Sequence, residues 1–165
     1  MSSTKEFLQE INDESVVTRK MLERVPGDRY DWQPHPKSMT IRQLAGHIAE
    51  LPGWVSMAFN TSELNFAENT YMPPVWENNA DLLELFEKNM QSAQSDLAQH
   101  TDDELLPQWL LKHGDTVLAN MTKRSLIRHA ISQTIHHRAQ LGVFLRLLDI
   151  PIPGTYGPSA DDQNF

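Results

Sequence analysis

The stretch LIRHAISQTIHHRAQLGVFLRLL, residues 126–148, decides how this chain is read. Leu126, Ala130, Gln133, His137, Leu141, Phe144 and Leu148 recur at intervals of three and four, so they share one face of an α-helix. Five of the seven are apolar, and such a face must be covered by other helices. Gln133 and His137 lie on that same stripe and are expected to point inward. His129 lies one turn before Gln133, near the stripe, while His136 is turned about 100° from His137, toward its edge. Thr122 is the expected N-cap, and the prolines of DIPIPG, residues 149–154, end the helix near Leu148.

Working outward, three more segments carry the same periodicity. The first opens on a capping box, Ser3-Thr4-Lys5-Glu6, continues through Phe7, Ile11, Thr18, Leu22 and Val25, and closes at Pro26-Gly27. The second is capped by Ser38 or Thr40 and buries Ile41, Leu44, Ala45 and Ile48. It kinks at Pro52-Gly53 and continues to about Asn60. The third starts near Asn79 or Asp81 and carries Leu82, Leu85, Phe86, Asn89, Met90, Ala93 and Leu97. Residues 61–77 read as a long loop, of the kind that often forms a lid. TDDELLPQW gives a short capped turn, and WLLKHGDTVLANM a small hairpin around residues 113–115. The expectation is an all-α four-helix bundle with long connections and a small hairpin before the last helix, one domain over residues 1–165.

Composition narrows the function classes. Apolar residues make up 39% and charged residues 22%, ordinary for a globular protein. No run of eighteen apolar residues is present, so no membrane-spanning helix is expected, and the N-terminus lacks the apolar stretch of a secretory signal. With no cysteine, disulfides, thiolate ligands and cysteine nucleophiles are excluded, which fits a cytoplasmic location. The net charge is −8, and residues 62–104 hold ten acidic residues against one base, Lys88. Neither nucleic acid nor an anionic membrane is an expected partner of such a chain.

His47 stands three residues after Leu44 and four before Leu51, on the border of the second helix's apolar face. Two inward histidines on different helices, with Gln133 one turn before one of them, form a candidate metal site of the kind helical cores build. Zn²⁺ or Ni²⁺ accepts imidazole nitrogens. The same spacing also suits a hydrogen-bonded patch of His and Gln. Glu50, one turn after His47, reads as an exposed helix acid more readily than as a base. Arg138 and Gln140 either orient groups at the metal or, for Arg138, pair with an acid on a neighbouring helix. Tyr30, Trp32, Trp54 and Trp76 read as loop-packing aromatics, and His35, His100 and His113 as solvated.

Two segments carry a resemblance. VPGDRYDWQPHPKSMTIRQLAGHIAELPGW, residues 25–54, resembles the N-terminal signature of the DinB-like (damage-inducible, YfiT-like) superfamily. HAISQTIHHRAQLGVFLRLLDIPIPGTYG, residues 129–157, is similar to that family's last helix and its proline-containing exit. The resemblance implies a four-helix bundle, frequently a homodimer, with a divalent metal held by three histidines. One would come from the second helix and two, four residues apart, from the last. On this chain the first position falls on His47 and the last on His137, but the middle one falls on Gln133. A neutral amide oxygen is a weaker ligand than imidazole, so the expected affinity is lower by about 10–100-fold. The implied set is His47, Gln133 and His137 around Zn, Ni or Mn. The implied activity is a metal-dependent enzyme acting on a small molecule, either a transferase using a low-molecular-weight thiol or a hydrolase. The alternative is a non-catalytic dimeric bundle with a partly decayed metal site, binding a small molecule or a protein.

Overall fold

The computed structural model describes residues 2–69 and 71–163; Met1, Thr70, Asn164 and Phe165 lie outside them. Along the chain run α1 (Ser3–Leu22), α2 (Ile41–Glu50), α3 (Gly53–Asn60), β1 (Glu63–Asn65) and α4 (Asn79–Gln99). A short 3-10 turn (Asp102–Leu105), β2 (Gln108–His113), β3 (Thr116–Thr122) and α5 (Lys123–Leu147) follow.

Free amides at helix starts set most of these boundaries. At α2, Gln43 N–H donates to Thr40 Oγ1 at 3.2 Å, and Thr40 N–H donates to Gln43 Oε1 at 2.9 Å, a complete capping box. The Asn78 carbonyl oxygen Oδ1 receives the amides of Ala80 and Asp81 at α4, and Thr122 Oγ1 that of Ser125 at α5. The start of α1 is different. Ser2 is its N-cap and makes no side-chain cap, so the expected box from Ser3 and Glu6 does not form. The Asp102 carboxylate takes its place, accepting from Ser3 N–H at 2.9 Å and Thr4 N–H at 3.0 Å.

The helices enclose one apolar interior that includes Leu22, Ile41, Leu44, Ile48, Leu82, Phe86, Leu126 and Ile127, all essentially without solvent exposure. Both α4 and α5 pack against α1 and against the α2–α3 pair. Proline explains the break between α2 and α3, because Pro52 has no amide to continue the hydrogen-bond ladder. Asn89 on α4 covers the break by donating Nδ2–H to the Ala49 carbonyl at 2.9 Å. Gly53 gives Asn89 room there, since a Cβ would stand 3.1 Å from Asn89 Oδ1 and crowd it.

The all-α four-helix bundle expected from periodicity is overturned by the sheet. β2 pairs antiparallel with β3, and β1 adds in parallel on the other side of β2, so among the described residues five α-helices combine with a three-stranded mixed sheet. The hairpin turn is as anticipated, with Gly114 in the left-handed region at φ +59°. β1 lies inside the segment read as loop. Its three residues are too few to show alternation, and non-local contacts hold it. Asn65, 5% exposed, accepts from Ala67 N–H at 3.1 Å and from Gly114 N–H at 2.9 Å, tying β1 to the hairpin turn. Trp109 on β2 is buried and donates Nε1–H to Thr61 at 2.9 Å, anchoring the sheet beside α3. None of the described helices is long and apolar enough to cross a membrane.

Arg138, 2% exposed, is the charged group most deeply placed between α1 and α5. Its Nη1 donates to Glu14 Oε2 at 2.5 Å and to Thr18 Oγ1 at 3.0 Å. Glu14 Oε1 also accepts from the Tyr156 hydroxyl at 2.6 Å, and the Tyr156 ring lies 5.2 Å from the guanidinium carbon. The C-terminal segment is thereby fastened to both helices.

Two stability predictions follow from these long-range ties. Glu14→Ala leaves a buried guanidinium without its carboxylate and is expected to cost about 3–5 kcal/mol in urea unfolding. Arg138→Met combined with Glu14→Leu should recover most of that loss; a double variant as unstable as Glu14→Ala would contradict the pairing argument. The amides of Thr4 and Ser3 hold the Asp102 carboxyl below its ordinary value. Because the folded value is the lower one, its contribution is complete above the ordinary carboxylate range and is lost as pH falls through the depressed value. Asp102→Asn should therefore unfold at a lower temperature at pH 7, with the gap closing in acid; a gap independent of pH would count against the cap.

Candidate functional site

With Arg138 directed at α1, His137 is turned about 100° away from it and meets α2. The His137 and His47 ring centroids are 4.8 Å apart, with their planes at 74°. Each ring is held at Nδ1. His47 Nδ1 lies 2.6 Å from Glu50 Oε1, and both side chains are largely buried. His137 Nδ1 lies 2.8 Å from Gln140 Oε1. Carboxylate and amide oxygens only accept, so Nδ1 carries the proton in each bond and a neutral ring leaves Nε2 with its lone pair. Metal-binding imidazoles are oriented in this way.

Glu50 has a second partner. The Tyr71 hydroxyl donates to the same Oε1 at 2.7 Å, giving a chain Tyr71–Glu50–His47. Burial, and then this bond and the charge of Glu50, push the Tyr71 phenol above its ordinary value, so it stays a donor. Burial also lowers the His137 imidazole. The bond to Gln140 opposes that shift, and His47 and His136 add to it.

Gln133 is half-buried one turn before His137 and makes no hydrogen bond among the described residues. Of the residues singled out in the sequence, His47 and His137 are thus brought together, with Gln133 next along α5. His129 and His136 are exposed, and His129 stacks on Trp54 with centroids 6.3 Å apart. Arg138 faces away, paired with the acid on α1. Tyr30 and Trp32 pack on Trp76 and Phe144 respectively, as loop aromatics. His35 and His113 are exposed, whereas His100 stacks on Phe59 at 4.4 Å and bonds Glu104.

Glu50 was read as an ordinary exposed acid, but the structure places it against His47. The three-residue spacing between them was the available signal. Tyr71 gave no signal, because it sits on an irregular segment far along the chain. Trp54, read as packing, stands 6.2 Å from the His47 ring.

Do these residues suit a divalent cation? Among the described residues no three His, Cys, Asp or Glu side chains cluster as a ligand set. What stands at α2 and α5 is a pair of oriented imidazoles and an unengaged amide side chain. That donor set fits a borderline cation held by two nitrogens, with Gln133 and external ligands completing its sphere. Beside His47 opens a cleft of about 720 Å³, with Trp54, Met57, Leu64 and Tyr71 among its walls.

The DinB family profile matches residues 1–164. A DinB-like protein of Bacillus subtilis (YjoA) is similar in structure at TM-score 0.67 and 21% identity, over 89% of this chain and 96% of that one. A DinB-like protein of Bacillus cereus ATCC 10987 is similar at TM-score 0.67 and 22% identity, over 92% and 97%. A protein of Exiguobacterium sibiricum 255-15, described as a putative member of the DinB family, is similar at TM-score 0.66 and 18% identity, over 92% and 96%. No curated protein matches the chain. The three structural likenesses carry the fold, and the match across residues 1–164 carries the family: this chain belongs to the DinB family.

Proposed function

We propose that this protein is a single-domain, metal-dependent enzyme acting on a small molecule, working as a cytoplasmic homodimer. His47 and His137 would hold a divalent cation, Zn, Ni or Mn, with Gln133 as a weaker third ligand. When bound, such a cation lowers the pKa of a thiol or water and supplies a nucleophile at neutral pH. The reaction is then transfer of a low-molecular-weight thiol to an electrophile, or hydrolysis. The observation that supports this reading is the pair of facing imidazoles, 4.8 Å apart, each tethered at Nδ1. Glu50 keeps the His47 ring in one tautomer, and Tyr71 fixes Glu50. Trp54 and Met57 line the cleft beside His47. With no cysteine in the chain, a thiol must arrive as a cosubstrate.

A second reading is favoured by Gln133 and by the missing third ionisable ligand among the described residues. In it the bundle binds a small molecule or partner without turnover, and the metal site has decayed.

Elemental analysis after incubation with Zn²⁺, Ni²⁺ or Mn²⁺ separates the two. One metal per chain in the wild type, lost in His137→Ala, is expected; unchanged metal content in that variant rules out the ligand assignment. Gln133→His should tighten binding by about 10–100-fold.

Tyr71 provides an independent check on the supporting shell. Tyr71→Phe should leave the fold intact and weaken metal affinity by up to about tenfold, with Glu50→Gln weaker still, in competition titrations against a chelator. Equal affinities in all three proteins would show that the Tyr71–Glu50–His47 chain has no role in holding the cation.

A further inference from the structure

The cleft beside His47 has a composition that no role so far described requires. Its walls are Met39, Trp54, Met57, Leu64, Phe66 and Met72, drawn from α2's leader, α3, β1 and the segment after it. Met39 is 42% exposed and Met72 76% exposed. Large apolar side chains left in water around a concavity mark a binding surface, and methionine in particular adapts to ligands of varied shape. At about 720 Å³ the cleft has the size of a small-molecule site rather than a groove for a protein segment.

Its two charges differ in how far partners engage them. Two fully charged side chains line it, Glu50 and Lys37. Glu50 is already bonded by both His47 and Tyr71. Lys37 has no ion-pair partner among the described residues, although the chain as a whole carries −8. Lys37 thus offers an ammonium with no direct ion-pair partner beside an apolar wall, whereas the Glu50 carboxylate is already engaged by two hydrogen bonds.

We infer that this cleft binds a small apolar molecule carrying a single negative charge, its apolar body against Met57, Met72 and Trp54 and its anionic group toward Lys37. Binding itself needs no metal. That the ligand is the enzyme's electrophile rests on the metal-dependent reading above.

The test uses two fluorescent probes with the same apolar body, anionic 8-anilinonaphthalene-1-sulfonate and neutral N-phenyl-1-naphthylamine. They are titrated into full-length protein stripped of metal with EDTA, while metal uptake is measured separately on reloaded samples. One saturable site per chain is expected, with the anionic probe bound about three- to fivefold more tightly, the range an exposed ion pair supplies. Lys37→Gln should erase that preference and leave the neutral probe unchanged. Met72→Asp, at a position exposed enough to spare the fold, should weaken both probes by about tenfold. The inference is overturned by absence of a saturable site, by equal affinity for the two probes in the wild type, or by binding indifferent to both substitutions. Metal uptake without probe binding would retain the metal-dependent reading and remove this one. Probe binding without metal uptake would do the reverse.

Discussion

The rotation of α5 about its own axis is set by a buried charge. Arg138 is almost fully enclosed, and a guanidinium removed from water is tolerated only where a carboxylate and further acceptors meet it. Glu14 and Thr18 supply these from α1. Once Arg138 is committed to α1, the helical repeat allows no freedom to its neighbours: His137 is carried round by about 100°, to where α2 presents His47. The imidazole pair is thus a consequence of an ion pair that touches neither ring. It also explains how a stretch as polar as SQTIHHRAQ can sit in a helix that packs on three others. Each polar side chain has its own direction, and the buried ones are matched.

A second constraint comes from proline. Had α2 run on without Pro52, the next turn would have continued its line. The break restarts the helix as α3, and the freed Ala49 carbonyl is met by Asn89 from α4. The restart puts Trp54 beside the His47 ring and Met57 in the cleft wall. β1 and the residue after it add Leu64 and Phe66 to the lining. Phe66 N–H in turn bonds the Lys112 carbonyl on β2. The sheet is therefore no appendage to a helical protein: it contributes part of the cleft's lining.

What could be read from the sequence follows how local each cause is. Thr40 and Thr122 cap their helices through residues three positions on, and the periodicity of α5 needs only its own side chains. These features were legible, as were Pro52-Gly53 and the turn at Gly114. The start of α1 was not, because its acceptor, Asp102, is 99 positions from Ser3. β1 was hidden for the same reason, being a strand only because β2 lies beside it, and so an all-α class was expected. In the site, His47 and His137 stood out by their place on apolar stripes. Glu50 did not, because an acid at the edge of a helix is usually solvated. Tyr71 could not, since its partner is 21 positions away across an irregular segment.

The replacement at Gln133 has a consequence beyond affinity under the proposed reading. Two imidazoles and an amide bring no negative charge to a cation, and an amide oxygen donates less electron density to it than the imidazole it stands in for. The nearby carboxylate, Glu50, is engaged by Nδ1 of His47 and the Tyr71 hydroxyl. A cation in such surroundings is held less tightly but retains more of its polarising power toward whatever ligand fills the open positions. Loss of the third histidine therefore does not by itself argue for loss of chemistry. Under the proposed reading it shifts the site toward weaker occupancy and a more electrophilic centre, at the edge of a cleft with several apolar walls.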